Sequence, residues 1–142
     1  MRIYLAGPLF SEAERSFNLR TAQSLEQAGH KVYLPQRDSH KAAGGDRTGG
    51  LFRQNVAALK QANVVVAICD GAQVDDGTAW EIGFAYGNGI HVYGLRTDTR
   101  IVQQADEPIN LMILKSVQAL TSSAEDLLTR LNSEASTRAC SD

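Results

Sequence analysis

Val64-Val65-Val66-Ala67-Ile68-Cys69 is followed, after a short polar turn, by Asp75-Asp76-Gly77-Thr78-Ala79-Trp80-Glu81-Ile82-Gly83. The unbroken apolar run reads as a buried strand, and the second stretch leads into a helix from about Thr78 to Tyr86. Two aspartates and a glutamate therefore sit where a strand ends and a helix begins. In an open parallel sheet that edge is where ligands bind. A glutamate on the first turn of a helix is also expected to be held ionised by the helix dipole, as a carboxylate nucleophile must be.

Upstream, Arg2 to Ala6 reads as a first strand, closed by Gly7-Pro8. A helix follows with a clear start: Ser11 and Glu14 have capping-box spacing, and Phe10 is placed to act as a hydrophobic staple. Phe17, Leu25 and Ala28 recur at helical spacing, and Gly29 ends the helix. Lys31 to Leu34 is a second strand, stopped by Pro35. Ser39 to Gly50, with Gly44-Gly45 and Gly49-Gly50, has no periodicity and reads as a mobile loop. Phe52, Val56 and Leu59 then mark a second helix.

Downstream, His91 to Leu95 is a fourth strand. Residues from about Thr99 to Lys115 read as irregular or short-helical, and Ser116 to Leu120 as a fifth strand. The last helix is expected from about Ser123 to Asn132, with Leu127, Leu128 and Leu131 as its apolar face. Residues 1–134 form a single domain in this reading, and 135–142 a frayed, disordered tail.

Strands alternating with helices imply right-handed crossovers and a parallel sheet. The expected fold is α/β, a doubly wound five-stranded parallel sheet in the flavodoxin-like order 2-1-3-4-5. In that order Gly7-Pro8, Gln36, Asp70 to Asp76, and Arg96 with Asp98 all follow the carboxyl ends of strands and line one crevice.

Composition narrows the function. A chain of 142 residues, 43% hydrophobic and 21% charged, has the size and balance of one globular domain with a real core. Its net charge of −2, without a Lys/Arg cluster, gives no footprint for nucleic acid or an anionic membrane. The longest apolar run, Val64 to Cys69, is far too short to span a bilayer. The first strand begins at once and leaves no room for a signal peptide. Cys69 and Cys140 make no disulfide framework and read as reduced thiols in a cytoplasmic protein. With no CxxC and scattered histidines (His30, His40, His91), no metal site is expected. The chain has neither GxGxxG after its first strand nor GxxxxGK[ST], so it carries no dinucleotide fingerprint and no Walker-type loop.

Each candidate residue also has a structural explanation. Thr78-x-x-Glu81 is itself a capping-box pattern, so Glu81 can simply fold back onto its own helix. Against this, three crowded carboxylates cost stability unless a ligand or a shared proton exploits them. Paired carboxylates at a pocket suit cleavage of a glycosidic bond, one attacking the anomeric carbon while another group protonates the leaving atom. Asp75 and Asp76 are candidates for the supporting role, or a solvated acidic turn. Trp80 is an apolar wall beside them or core; Tyr4 is core or the group that orients a carboxylate. Gly7-Pro8 can merely turn the chain, Asp70 can close the strand, and Arg96 with Asp98 can bind substrate or form an ion pair.

Taken together, Ile3-Tyr4-Leu5-Ala6-Gly7-Pro8, Tyr33-Leu34-Pro35-Gln36, Asp75 to Gly83 and Pro108-Ile109-Asn110-Leu111-Met112 resemble the nucleoside 2-deoxyribosyltransferase family. The resemblance spans most of the chain up to about Leu120. It implies double displacement between 2′-deoxynucleosides and free nucleobases, in nucleoside salvage and without a cofactor. Glu81 would be the nucleophile that attacks C1′, Tyr4 the residue that positions it, and Asp75 a sugar contact or proton partner. Gln36 would contact the base. Asn110 and Met112 would reach a neighbouring site, which makes the protein a homo-oligomer, a dimer or hexamer. The chain departs from the pattern at Asn55, where the best-known branch has an aspartate that protonates the leaving base. An amide holds a base by hydrogen bonds but delivers no proton at neutral pH. The tail also lacks an aromatic C-terminus. Two alternatives remain open: a 2′-deoxynucleoside 5′-monophosphate N-glycosidase, and a non-catalytic nucleoside or nucleotide sensor on the same fold.

Overall fold

The computed structural model describes residues 1–40, 46–100 and 108–140. Five strands, β1 (Arg2–Ala6), β2 (Lys31–Tyr33), β3 (Val64–Ile68), β4 (His91–Leu95) and β5 (Ala119–Thr121), form one sheet. Its order is β2-β1-β3-β4-β5 and every pairing is parallel, as the alternation of apolar runs and helical patterns predicts. The helices are α1 (Glu12–Gln27), α2 (Pro35–Asp38), α3 (Arg47–Gln61), α4 (Asp76–Gly87), α5 (Leu111–Ser116) and α6 (Ala124–Ala139). Among the described residues no helix is long and apolar enough to cross a membrane.

The two-residue period of a strand divides the core in two. Ile3, Leu5, Val64 and Val66 pack with Leu25 of α1 and Leu127 and Leu131 of α6. Tyr4, Ala6, Val65 and Ala67 face the other way, onto Leu59 of α3 and Ile82 and Ala85 of α4. β3 is central and buried along its whole length, which is why its sequence is an unbroken apolar run rather than an alternation. This parity points Tyr4 at α4 and thereby sets the site.

Local signals account for most element boundaries. Ser11 caps α1 by a full capping box: its hydroxyl accepts from the Glu14 amide, and the Glu14 carboxylate accepts from the Ser11 amide at 2.7 Å. The expected staple does not form. The Glu14 carboxylate also holds the Phe10 amide, and the Phe10 ring is 75% exposed. Gly29 closes α1 at φ +88°, a left-handed turn that costs glycine nothing.

Several boundaries differ from the sequence reading. β5 starts at Ala119 rather than Ser116, which instead ends α5. Pro35 ends β2 but also starts the one-turn helix α2, where a missing N–H is harmless; Asp38 accepts from the Leu34 amide. Helix α3 begins at Arg47 rather than near Phe52, so Gly49-Gly50 lie inside it. Asp46 caps it by accepting from the Gly49 amide at 2.8 Å, which offsets the poor helix propensity of two glycines. Residues 41–45 of the expected loop, 101–107 of the expected irregular segment, and 141–142 of the tail lie outside the described residues. Finally, α6 continues past Asn132 to Ala139, through most of the expected tail. Glu134 anchors that extension by accepting from Arg138 one turn on and from the Tyr93 hydroxyl of β4, with His91 at 2.8 Å.

Candidate active site

Tyr4 is fully buried on β1, and its hydroxyl donates to Glu81 on α4 at 2.5 Å. Position along the helix explains why Glu81 is free to make this contact. The cap of α4 is Asp75, whose carboxylate accepts from the Thr78 amide at 3.0 Å and the Thr78 hydroxyl at 3.2 Å. The capping box expected of Thr78 and Glu81 is therefore not made; Asp75 has taken that role. With α4 starting at Asp76, Glu81 falls in the second turn, and the dipole effect fades beyond the first.

The expected electrostatics are corrected accordingly. The Glu81 carboxyl is not held ionised but pushed up to about 7. Burial is the main cause, the hydrogen bond from Tyr4 opposes it, and the charge of Asp75 adds to it. The Tyr4 phenol is raised well above its ordinary range, by burial first and then by the Glu81 charge, so it stays a donor. At neutral pH the site thus holds a carboxylate near half-ionisation, gripped by a phenol that does not give up its proton. That combination suits attack on an electrophilic carbon with a short, defined approach.

The other expected residues fall into separate places. Asp75 is partly buried and close enough to influence Glu81. Asp76 is exposed, and its carboxylate accepts from the Gly77 amide. Trp80 points about 100° away from Glu81 around the helix. It is 48% exposed, stacked on Phe84 at 5.3 Å and edge-on to Phe52 of α3 at 5.6 Å. Asn55 on α3 accepts from the Ser39 hydroxyl at 2.6 Å and from the Tyr33 hydroxyl at 3.2 Å. The Tyr33 ring in turn stacks on Tyr4, centroids 5.5 Å apart. Asn110 caps α5 by accepting from the Met112 amide, and Met112 is 74% exposed. Both line a cleft of about 470 Å³ with Val74, Asp76, Ala79 and Arg96; its walls include neither Tyr4 nor Glu81.

Asn18, a polar residue absent from the sequence reading, holds the crevice together with the expected Gln36. Asn18 of α1, 2% exposed, donates to the Pro8 carbonyl at 2.7 Å and to the Gln36 side chain at 3.1 Å. Gln36 donates onward to the Arg15 carbonyl, so its amide is tied to α1. Gly7 is tightly enclosed here: a Cβ would sit 3.0 Å from Ile68 and 3.1 Å from the Asn18 oxygen. The signal for Asn18 is its helical spacing with the buried Thr21, Ala22 and Leu25.

Arg96, 6% exposed, pairs with no acid among the described residues. It donates to the carbonyls of Cys69 at 2.6 Å, Gly71 at 3.1 Å and Arg100 at 3.2 Å. In return Asp70 accepts from the Thr97 and Asp98 amides, and Asp98 from the Gly71 amide while pairing with Arg100. The loops after β3 and β4 are thus cross-linked in both directions. The buried Cys69 thiol beneath them is pushed up to about 12 by burial and is unreactive.

The chain matches the family model described as nucleoside 2-deoxyribosyltransferase over residues 3–112. No curated protein matches it. Among solved structures, a conserved protein from Enterococcus faecalis V583 is 30% identical, with TM-score 0.81 over 94% of this chain and 98% of that one. A 2-deoxyribosyltransferase from Bacillus psychrosaccharolyticus is 27% identical, with TM-score 0.78 over 90% of each chain. A CMP N-glycosidase from Clostridium botulinum, 19% identical with TM-score 0.60 over 93% of this chain and 99% of that one, shares the fold.

Proposed function

Since the chain belongs to the nucleoside 2-deoxyribosyltransferase family, we propose that it exchanges the base of 2′-deoxynucleosides by double displacement through Glu81. The Tyr4–Glu81 contact carries this reading, because it fixes one oxygen of a part-buried carboxylate on the helix that follows the central strand. Ionised Glu81 attacks C1′; the C1′–O bond forms as the C1′–N bond breaks, and the electron pair leaves with the base. A second base then attacks C1′ of the ester, and the carboxylate is released. No oxidation state changes, so the exchange needs no redox cofactor.

Tyr4 holds the attacking carboxylate in one orientation and stabilises its charge. Asp75 is the sugar contact or proton partner beside it. Asn110 and Met112, apart from their own Tyr4–Glu81 pair and next to the half-exposed Leu111, reach the site of a neighbouring copy in a dimer or hexamer.

The test is to incubate the protein with deoxyinosine and, in turn, adenine, guanine or thymine, and to resolve the products by chromatography. A new deoxynucleoside is expected with the wild type and none with Glu81→Ala. Free base without any new nucleoside would make the enzyme a hydrolase, and exchange that survives Glu81→Ala would remove Glu81 as nucleophile. Deoxynucleoside monophosphates in parallel test the glycosidase alternative.

A further inference from the structure

β2 is an edge strand only three residues long, and its last residue, Tyr33, is the register partner of Tyr4 on β1. Partners in register point to the same face of a sheet, here the face covered by α3 and α4. The two rings stack there, with centroids 5.5 Å apart and planes 19° from parallel. On its other flank Tyr4 has Val65 of β3 as register partner. The flat surface that matches the plane of the Tyr4 ring therefore comes from Tyr33.

A half-buried aromatic side chain on an edge strand is ordinarily free to swing, but this one is fastened at its far end. The Tyr33 hydroxyl donates to the Asn55 carbonyl at 3.2 Å and lies 2.9 Å from the Ser39 hydroxyl, which donates to the same carbonyl at 2.6 Å. Gln54, next to Asn55, accepts from the His40 amide at 3.0 Å and donates to the His40 carbonyl at 2.9 Å, so the segment that carries Ser39 is itself tied to α3. Held at its Cα by the sheet and at its hydroxyl by α3, the Tyr33 ring keeps its plane. The Tyr4 ring stacked on it keeps its own, and that plane aims the Tyr4 hydroxyl at Glu81. Hydrogen bonds weaken steeply as their angle closes, so a Tyr4 ring free to rock would grip Glu81 less firmly.

We infer that Tyr33 is a positioning residue: stacked on Tyr4 and fastened at its own hydroxyl, it holds the Tyr4 phenol on the Glu81 carboxylate. The inference rests on Glu81 being the attacking group of the proposed exchange. Two groups act on Glu81 directly, Tyr4 from β1 and Asp75 from the cap of α4. Tyr33 reaches it through Tyr4. The Asn55 amide, in turn, serves this arrangement as the fastening point of a ring.

The test is the acid limb of kcat/KM in Tyr33 variants, with and without the Tyr4 hydroxyl. Tyr33→Leu removes the stacked ring. Its limb should move up by about 0.4 to 1 pH unit, the range that the stacking of one aromatic pair can supply. Exchange at pH 7 should slow by about two- to fivefold and recover at pH 9, with an unchanged KM for the acceptor base. Tyr33→Phe keeps the ring and only unfastens it, so its limb should fall between those of the wild type and Tyr33→Leu. In a Tyr4→Phe background neither substitution should move the limb further, because no hydroxyl remains to be positioned. An unmoved limb in Tyr33→Leu, a limb that moves down as water reaches Glu81, or an equal shift with and without the Tyr4 hydroxyl would overturn the inference. Carboxyl-carbon NMR, with the Glu81 signal identified by its loss in Glu81→Gln, reads the same shift without turnover. A shift there in a protein that exchanges no nucleoside would leave the role of Tyr33 standing and remove the transferase reading. Exchange without a shift would remove the role of Tyr33 alone.

Discussion

Replacing Tyr4 by Phe deletes one hydroxyl and keeps the ring that packs on Tyr33, so it isolates the hydrogen bond to Glu81. That bond is donated to the ionised carboxyl and holds its pKa down against burial. A hydrogen bond to a charged group contributes about 1.5–3 kcal/mol, and about 1.4 kcal/mol corresponds to one pH unit. Glu81, pushed up to about 7 in the wild type, should therefore titrate about one to two pH units higher in Tyr4→Phe. At pH 7 the ionised fraction would fall from about a half to between roughly a tenth and a hundredth, and exchange would slow by about five- to fiftyfold. Most of that loss should return at pH 9. The assay is the pH dependence of kcat/KM for deoxyinosine, followed by base release. The companion variant Asp75→Asn removes a charge that raises Glu81, so its acid limb should move downward. An acid limb that stays put in Tyr4→Phe, or a uniform loss at every pH, would refute the electrostatic role of Tyr4.

Glu81 should also be a stability cost that its function requires. Its carboxyl titrates near 4.5 when exposed and near 7 when folded, so the cost is absent below about 4.5, grows as pH rises, and is fully present above about 7. Glu81→Gln keeps a partner for Tyr4 without a charge to bury; urea unfolding at pH 8 should show it more stable by about 2–3 kcal/mol, with no exchange activity. The difference should vanish at pH 4. Gly7→Ala forces a Cβ against Ile68 and Asn18, and should destabilise the protein by about 1–3 kcal/mol in the same assay. If Met112 reaches a neighbouring copy as proposed, Met112→Glu, at a residue that is 74% exposed, should lower the mass read by light scattering and abolish exchange with unchanged circular dichroism.

The fold was legible because its strongest signals are local. Val64 to Cys69 is apolar throughout because β3 has neighbours on both faces, and Ser11 with Glu14 announces α1 without any tertiary partner. The place of Glu81 on the helix after β3 was also legible, but the sequence offered a capping box beside a site role for it. Its ionisation was not, because that depends on which residue caps the helix. Asp75 and Thr78 compete for the role in sequence, and only the backbone path of the β3–α4 turn decides between them. Asn18 and the partners of Arg96 and Asn55 were hidden for a related reason. Polar residues of this kind look like surface until the carbonyls and hydroxyls of distant segments are brought to them. The start of α3 was missed where two glycines argued against a helix that a single aspartate caps.

The burial of Glu81 bears on how the enzyme would spend its time. A carboxylate ester carries no charge, so the dry surroundings that lift the free acid to about 7 exact no such penalty from the sugar-bearing form. On the double-displacement path the pocket destabilises the empty ionised enzyme and spares the loaded one. The resting species in the presence of nucleoside would then be the ester, waiting for an acceptor. Rapid mixing should show a burst of released base equal to the number of sites, and the choice between exchange and hydrolysis would rest on how well that waiting state excludes water.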